Sequence, residues 1–262
     1  MFEISLEESP NLLCLVITNP NFTNRSLTVL NTWGKRCTYI RFITTKPEPL
    51  LPTIVTSGRE GYDSIWGKTK QGFKIAYEEF LDKVDWVLKA DDDTYIIMEN
   101  LNYLLSFYNH NLPIWLGCAL KVANVGSDGL EEYMMGGAGY ILSKEAVIRF
   151  NEASLKNTTI CVEEDDGAED VNMGKCLQYA GVLNKNSTDE FGRYLFLPFF
   201  LHSGIGREDW TSYGSWFWNY LEHKERVGFD FASRRLVSLH YVTSEMMQML
   251  DYLLYDLKLI RT

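Results

Sequence analysis

The amino-acid sequence predicts an α/β fold, with a mostly parallel central sheet flanked by helices and a Rossmann-like first half. Two observations support this prediction. In the first 120 residues, short apolar segments alternate with segments of helical periodicity, the pattern of a parallel sheet covered on both faces. The 262 residues are also 46% hydrophobic, enough for one substantial core. We therefore expect a single domain over 1–262, with halves near 1–120 and 121–262.

Regular elements of the first half follow from hydrophobic spacing. Phe73, Ala76, Tyr77 and Phe80 lie at i, i+3, i+4 and i+7, the spacing of one helix face. Three prolines between residues 47 and 52 favour an extended connection before this helix. The predicted strands are 12–18, 38–44, a strand that starts at 86 and ends in aspartates, and 114–120. The predicted helices are 25–33, 68–80 and 99–107.

The second half is less regular and richer in aromatic residues. Ser143 is a typical N-cap for a helix that extends to about residue 151. In the last predicted helix, Leu250, Leu253, Leu254 and Leu257 form one apolar face. The remaining predicted elements are strands at 140–142 and 237–242 and helices at 169–179 and 244–259.

Composition excludes two classes of partner. A formal net charge of -10 argues against nucleic acid or an anionic membrane surface, because both bind a basic face. The longest apolar run, 12–17, is a strand, and no run of eighteen apolar residues occurs in the sequence. The first residues lack a basic segment followed by an apolar one, so we expect no signal peptide there.

The five cysteines leave two interpretations open. Cys14 lies on the first predicted strand and Cys37 follows the first predicted helix, so a bridge between them is compatible with the pattern. Cys161 and Cys176 flank an acidic segment and could form a second bridge. The alternative is five reduced, buried thiols in a cytosolic protein. Four Asn-x-Ser/Thr sequons, which do not by themselves prove secretion, begin at Asn21, Asn24, Asn157 and Asn186.

The strongest functional signal is the segment 86–95. Its apolar start leads into three consecutive carboxylates, Asp91, Asp92 and Asp93. Adjacent carboxylates repel one another and are hard to desolvate, so their position at a predicted strand end calls for a compensating cation. Ligands of α/β sheets bind at such strand ends. Hard oxygen ligands suit Mg²⁺ or Mn²⁺, which commonly bridge to nucleotide phosphates. A solvated acidic turn is the alternative.

Two further motifs are weak when taken alone. Gly136, Gly137 and Gly139 allow a ligand to approach the main chain closely, but a tight turn explains them equally well. Glu169 and Asp170 begin a predicted helix, where carboxylates are favoured by the helix dipole. The functional interpretation of this pair is a general base held beside an acceptor hydroxyl.

A histidine and an aromatic segment complete the candidates. His240 lies among apolar residues of the closing strand, where a hydrogen-bonded core histidine is one interpretation. If that strand ends beside the aspartates, His240 is instead a candidate Mn²⁺ ligand. His202 is the second candidate ligand. Residues 210–220 contain six aromatic side chains, which fit either a core cluster or a sugar-binding surface.

Taken together, these segments resemble the β1,3-glycosyltransferases of the fringe and core 1 group, and most closely the core 1 β1,3-galactosyltransferases. The similarity covers nearly the whole chain in consistent order, which makes it more specific than any single motif. The matching segments are 12–18, 32–33 with 36–37, 66–69, 86–95, 136–144, 169–170 with 174–176, 216–220 and 240–242.

The resemblance implies a GT-A fold, with a UDP-sugar and metal half at about 1–120 and an acceptor half at about 121–262. It implies an inverting, Mn²⁺-dependent transfer of galactose from UDP-galactose. The acceptor would be the 3-hydroxyl of GalNAc α-linked to Ser or Thr of a glycoprotein, and the product would be the core 1 O-glycan. In such a reaction the metal neutralises charge on the departing UDP while a base takes the acceptor proton.

The resemblance also implies a role for individual residues. Asp91, Asp93 and His240 would bind Mn²⁺, and Asp170 would be the catalytic base. The acceptor-binding residues would be Trp216, Tyr241 and Glu169. The donor-binding residues would be Thr18, Arg36, Trp66, Lys68, Asp91, Asp92 and Gly137.

Members of this group work in the Golgi lumen and carry an N-terminal membrane anchor. This chain lacks that anchor, so we expect a catalytic fragment or an incomplete gene model, and a homodimer is compatible with the resemblance. A lumenal location would accommodate the sequons and the bridges Cys14–Cys37 and Cys161–Cys176, with Cys118 unpaired. Two alternatives stay open: fringe-like GlcNAc transfer, and a non-catalytic chaperone-like or lectin-like paralogue.

Overall fold

A seven-stranded sheet forms the centre of the computed structural model, which describes residues 9–122, 129–199, 220, 228–258 and 260. Its strand order is β10-β6-β9-β4-β1-β2-β3, and β9 runs antiparallel to both of its neighbours while all other pairs are parallel. The strands are β1 (Leu12–Ile17), β2 (Tyr39–Thr44), β3 (Thr53–Val55), β4 (Trp86–Asp91), β6 (Ile114–Gly117), β9 (Tyr140–Ser143) and β10 (Leu183–Asn186). The predicted mostly parallel α/β architecture is therefore confirmed.

Two smaller sheets accompany the central one. The first has the order β11-β12-β5 and the second pairs β7 with β8. Their strands are β5 (Tyr95–Ile96), β7 (Ala119–Lys121), β8 (Glu132–Met134), β11 (Phe196–Leu197) and β12 (Ser238–Leu239). The predicted strand 114–120 is thus divided at Cys118, because its second part leaves the central sheet to pair with β8.

Helices cover both faces of the central sheet. They are α1 (Thr23–Asn31), α2 (Ile65–Ile75), α3 (Met98–Leu105), α4 (Lys144–Lys156), α5 (Glu169–Tyr179) and α6 (Ser244–Asp251). Wider π-helical turns over Ala76–Phe80 and Tyr252–Asp256 extend α2 and α6. Ser143 caps α4 as predicted, with its hydroxyl accepting from the Ala146 amide, but α4 continues beyond the predicted end near residue 151.

The side chains of β1 show how the two cores arise. Leu12, Cys14 and Val16 belong to one hydrophobic cluster, while Leu13 and Leu15 belong to the other. This alternation follows from the period of two in a strand, and both sets are apolar because the strand is buried on both faces. Helices α1, α3 and α6 contribute to the first cluster, and α2, α4 and α5 contribute to the second.

The predicted apolar face of the last helix is wrong for three leucines. Leu253, Leu254 and Leu257 are 47%, 46% and 43% exposed. The buried residues of α6 are instead Met247 and Asp251. The Asp251 carboxylate is held by Lys35 Nζ at 2.8 Å and Arg36 Nη1 at 2.6 Å, and these ion pairs fix the rotation of the helix. The buried face of α6 is therefore the one that carries Met247 and Asp251, where the carboxylate has two cationic partners.

The disulfide pattern is resolved in favour of two bridges. Cys14 is joined to Cys37 and Cys161 to Cys176, while Cys118 is buried and outside both bridges. The alternative of five free thiols is therefore wrong. Each loop that these bridges close restrains the unfolded chain by roughly 3 kcal/mol. Within the described ranges, no helix combines the length and the apolar character that a bilayer crossing requires.

Candidate active site

A cleft of about 460 Å³ opens where parallel strands β1 and β4 end. Ile17 and Asp91 are paired at the last position of these two strands, so the residues that follow them meet at one edge of the sheet. Ligands of open α/β sheets bind at this kind of edge. Polar residues that line the cleft include Thr18, Glu60, Lys68, Asp91, Asp92, Asp93, Asp170 and His240.

The small sheet brings His240 to the aspartates. Strand β12 runs antiparallel to β5, which follows the aspartate triplet directly, and Leu239 pairs with Tyr95. The Val242 amide then donates to the Asp93 carbonyl at 2.9 Å. As a result, the predicted ligand His240 lies beside the triplet although 147 residues (240 minus 93) separate it from Asp93 in sequence.

Asp91, Asp93 and His240 form a cluster that can hold a cation. One ligand atom from each residue lies within 4.8 Å of the others. His240 Nδ1 is 3.2 Å from the Pro198 carbonyl oxygen, and because a carbonyl only accepts, Nδ1 carries the hydrogen. In the neutral ring, Nε2 is therefore the nitrogen that would bind a metal, and it lies 3.3 Å from Asp93 Oδ1. Two carboxylates and a neutral imidazole are a donor set that suits Mn²⁺.

Two glycines of the motif leave room for side chains near this cluster. A Cβ atom on Gly137 would lie 2.1 Å from His240 Cε1, and a Cβ on Gly136 would lie 2.5 Å from Glu169 Oε2. A side chain at Gly137 would therefore displace His240, and one at Gly136 would displace Glu169. Gly139 has φ of 76°, a backbone conformation that favours glycine. These glycines therefore permit close approach of side chains to the main chain.

Asp92 and Asp93 have pKa values that are shifted in opposite directions. Burial raises the pKa of Asp92 to about 6, although hydrogen bonds from Thr18 Oγ1 at 2.7 Å and Arg25 Nη1 at 3.2 Å oppose this. Burial also acts to raise the pKa of Asp93, but in the metal-free protein the hydrogen bond and charge of a protonated His240 ring, together with Arg25, outweigh it and hold this pKa below its ordinary value. Arg25, which sequence analysis missed, thus supplies part of the compensating charge.

Glu169 and Asp170 occupy the first turn of α5 as predicted, but they face different surroundings. Asp170 lines the cleft, and its Oδ2 accepts from the Gly136 amide at 3.3 Å. Burial raises its pKa, with partial opposition from that amide and from Lys89. Glu169 is buried and accepts a hydrogen bond from the Tyr140 hydroxyl at 2.5 Å. Asp170 is therefore the carboxylate that can reach a ligand.

The predicted donor-binding residues divide into two groups. Thr18, Lys68, Asp91, Asp92 and Gly137 line the cleft. Lys68 is buried, with Nζ donating to the Thr18 carbonyl at 2.8 Å and paired with Glu60. The remaining two predicted residues are Arg36 and Trp66.

Arg36 and Trp66 are not among the described residues that line the cleft. Arg36 pairs with Asp251, and its guanidinium lies 3.3 Å from the ring centroid of Tyr255. Trp66 is fully buried in the second cluster and donates to the Val162 carbonyl at 2.9 Å. Their predicted donor contacts are not supported, because each side chain is committed to packing or ion pairing elsewhere.

Of the predicted acceptor-binding residues other than Glu169, Tyr241 lines the cleft and Trp216 lies outside the described residues. Tyr241 lines the cleft with its side chain on His240, the two ring centroids being 3.9 Å apart. It is also the one described residue other than glycine with a positive φ, 56°. Trp216 and His202 lie outside the described residues, as does most of the aromatic segment 210–220. Tyr62, which sequence analysis missed, lines the cleft and is 84% exposed.

We expect Gly137→Ala to weaken Mn²⁺ binding at least tenfold, because its Cβ cannot coexist with the His240 ring. Isothermal titration calorimetry with MnCl₂ measures this affinity. Gly58→Ala is the matched control, since a Cβ there meets Asp165 Oδ2 at an ordinary 3.7 Å. Equal Mn²⁺ affinity of the two variants would contradict this placement of His240.

We expect the metal-free protein to be more stable at pH 5 than at pH 7. The raised pKa of Asp92 means that the folded state binds the proton of this carboxyl more tightly than the unfolded state does. The resulting contribution to the free energy of unfolding is fully present below about pH 4 and is lost as the pH rises through about 6. Asp92 alone contributes about 1 kcal/mol between the two pH values. Glu169 and Asp170, whose pKa values are also raised, act in the same direction.

Urea unfolding in EDTA at both pH values measures this difference, and Asp92→Asn should reduce it. Carboxyls with a lowered pKa, such as Asp93 and Asp251, stay ionised across this window and do not offset it. A wild-type protein that loses stability on acidification to pH 5, or an unchanged difference in Asp92→Asn, would contradict the assignment.

Comparison with known proteins gives one family and several relatives. The Fringe-like family model matches residues 8–240. Glycoprotein-N-acetylgalactosamine 3-beta-galactosyltransferase 1 of Xenopus laevis is 34% identical over 254 residues, 97% of this chain and 68% of the frog protein. Human chondroitin sulfate synthase 3 is 32% identical over 145 residues, 52% of this chain and 16% of that protein. Mouse beta-1,3-glucosyltransferase is 30% identical over 158 residues, 59% of this chain and 30% of that protein.

Solved structures are more distant. A mutant of Drosophila galactosyltransferase 7 in complex with manganese, UDP-Gal and xylobiose aligns with a TM-score of 0.40 and 13% identity, over 68% of this chain and 66% of that chain. This likeness is too low to carry an argument about this chain. The family match covers most of the sequence, and the central sheet is mostly parallel, as predicted. The chain belongs to the Fringe-like family and is a glycosyltransferase similar to β1,3-galactosyltransferases.

Proposed function

We propose that this chain transfers galactose from UDP-galactose to the 3-hydroxyl of GalNAc α-linked to Ser or Thr of a glycoprotein, with inversion. The observation that carries the proposal is the convergence of Asp91, Asp93 and His240 in the same cleft as Asp170. The 34% identity to the frog galactosyltransferase supports the choice of donor and acceptor. Parts of two relatives named for other activities, a chondroitin sulfate synthase and a glucosyltransferase, also match, so the donor is the point to test.

Asp91, Asp93 and His240 are the residues that would hold Mn²⁺. The bound metal would supply positive charge where negative charge develops on the departing diphosphate. The donor set fits because one ligand atom from each of the three residues lies within 4.8 Å of the others, with His240 Nε2 3.3 Å from Asp93 Oδ1. In the described residues, Arg25 adds a cation 3.2 Å from Asp92 and 3.8 Å from Asp93, which limits repulsion within the triplet.

Asp170 is the residue that would take the acceptor proton. Its carboxylate lines the cleft and is oriented by the Gly136 amide, which occupies Oδ2 at 3.3 Å, and by the Val171 amide, which donates to Oδ1 at 3.0 Å. Its raised pKa, caused by burial, makes it a stronger base than an ordinary aspartate. Attack by the deprotonated hydroxyl on the face of the sugar opposite to UDP inverts the anomeric configuration.

We also propose that the protein works in the lumen of the secretory pathway, in the Golgi. The two disulfide bridges support an oxidising compartment, since such bridges are rare in the cytosol. A homodimer stays a prediction.

A transfer assay tests the reaction. Purified protein is incubated with a GalNAc-Ser/Thr peptide, Mn²⁺ and either UDP-galactose or UDP-GlcNAc, and the peptide is analysed by mass. We expect the mass of one hexose to be gained only with UDP-galactose, lost in EDTA and restored by added Mn²⁺. Gain of an N-acetylhexosamine instead would show a fringe-like donor. No product despite Mn²⁺-dependent UDP binding would refute the acceptor, and absence of UDP binding would favour a non-catalytic paralogue.

Asp170→Asn should lower turnover by 10² to 10⁴-fold, because the amide cannot accept the proton, while UDP affinity stays within about threefold. Steady-state kinetics and calorimetry measure the two quantities. Glu164→Gln is the control, since Glu164 belongs to an exposed acidic loop before α5 and should keep full turnover. Near-normal turnover of Asp170→Asn would remove Asp170 as the base.

A further inference from the structure

A fully buried lysine lies between the aspartate triplet and the start of α5. Lys89 is the third residue from the end of β4, and its side chain is 2% exposed. Its strand neighbours Leu88 and Ala90 point to the first hydrophobic cluster, so Lys89 points to the opposite face, the one that α2, α4 and α5 cover. An ammonium group at such a position is costly unless acceptors surround it.

The acceptors around Lys89 come from three separate segments. Nζ lies 2.7 Å from Asp91 Oδ1, 3.2 Å from the Gly136 carbonyl oxygen and 3.6 Å from Glu169 Oε2. These groups belong to the strand end, the glycine turn and the first turn of α5. One ammonium group therefore contacts a proposed metal ligand and, at the same time, the helix that carries the proposed base.

Gly136 extends this link to Asp170. The carbonyl of Gly136 accepts from Lys89, while its amide donates to Asp170 Oδ2 at 3.3 Å. Glu169, the sequence neighbour of Asp170, is fixed on its other oxygen by the Tyr140 hydroxyl at 2.5 Å. Movement of the Lys89 ammonium would thus shift both the turn that orients Asp170 and the residue beside it.

The charges explain why a cation is needed at this point. Asp91, Glu169 and Asp170 are three carboxylates around one buried region, and adjacent buried carboxylates repel strongly. Lys89 offsets this repulsion from within the protein, on the side away from the proposed metal. Its contact with Asp91 uses Oδ1, which leaves the second oxygen of this carboxylate for a metal.

We infer that Lys89 is a positioning residue, which fixes the metal-binding carboxylate Asp91 and the base Asp170 relative to each other through Gly136 and Glu169. This inference rests on the proposed function, because it takes the roles of Asp91 and Asp170 from there. Lys89 does not line the cleft among the described residues and acts through its neighbours. The inference predicts that loss of the Lys89 ammonium lowers turnover rather than donor affinity. It also predicts that substitutions of Lys89 and Glu169 are coupled.

A double-mutant cycle tests this inference. Lys89→Met, Glu169→Gln and the double variant are compared with wild type in kcat, KM for the donor, Mn²⁺-dependent UDP affinity and Tm. We expect Lys89→Met to lower kcat at least 100-fold, with KM and UDP affinity within about threefold. Because Glu169→Gln removes the charge that Lys89 offsets, the double variant should recover kcat at least tenfold and regain part of the lost Tm.

Lys74→Met is the control for loss of a lysine charge, since the Lys74 side chain is 58% exposed and should leave all four quantities unchanged. A kcat of Lys89→Met within threefold of wild type would overturn the inference. So would a double variant that shows the product of the two single losses, because the residues would then be uncoupled. If the loss of folded protein alone accounts for the fall in apparent kcat, Lys89 is structural and the positioning role is wrong.

The same cycle separates this inference from the proposed function. If wild type transfers no sugar from any UDP donor offered, the proposed function fails. The positioning role, which takes its catalytic base from that function, fails with it, and Tm and UDP affinity then decide only the charge coupling between Lys89 and Glu169. A loss of Tm in Lys89→Met that Glu169→Gln does not reverse would overturn the charge coupling on which it depends, and reversal with retained UDP affinity would support it.

Discussion

The electrostatic balance of carboxylates at the end of β4 is the constraint on which the site depends. Asp91, Asp92 and Asp93 line the cleft, with Asp92 the most buried of the three, and Glu169 and Asp170 approach from α5. Five carboxylates this close require cations from several directions. Within the described residues, Lys89 compensates from the core and Arg25 from α1, while the proposed metal would compensate from the cleft. Each cation meets a different part of the cluster, so none replaces another.

The topology supplies what this balance needs. Parallel strands β1 and β4 end together and place Thr18 against Asp92. The antiparallel strand β9 begins at this same edge, so the glycine turn that precedes it also lies there. The three-stranded sheet then closes the cluster by adding His240. Farther from the site, the Asp251 carboxylate accepts a hydrogen bond from the Tyr95 hydroxyl and forms ion pairs with Lys35 and Arg36. These contacts link α6 to β5, the strand that follows the triplet.

Local elements of this fold are predictable from the sequence, whereas tertiary partners are not. Helix α5 has the predicted bounds, and the carboxylates at its start are a local signal. The neighbours of Arg36 and the rotation of α6 could not be read from periodicity, since Asp251 lies 215 residues from Arg36 in sequence. The role of Lys89 had one local signal, a lysine within an apolar strand run, but its partners on Gly136 and Glu169 depend on folding. His240 was predicted through family resemblance, because pairing of β12 with β5 is a long-range event.

The central claim is that one cation completes this carboxylate cluster, and anomalous X-ray diffraction tests it most directly. Crystals of the protein soaked in MnCl₂ and UDP would be measured above and below the manganese absorption edge. The account predicts one strong anomalous peak bounded by Asp91, Asp93 and His240, absent in crystals of Gly137→Ala. A peak at another site, or no peak in crystals that contain bound UDP, would contradict it.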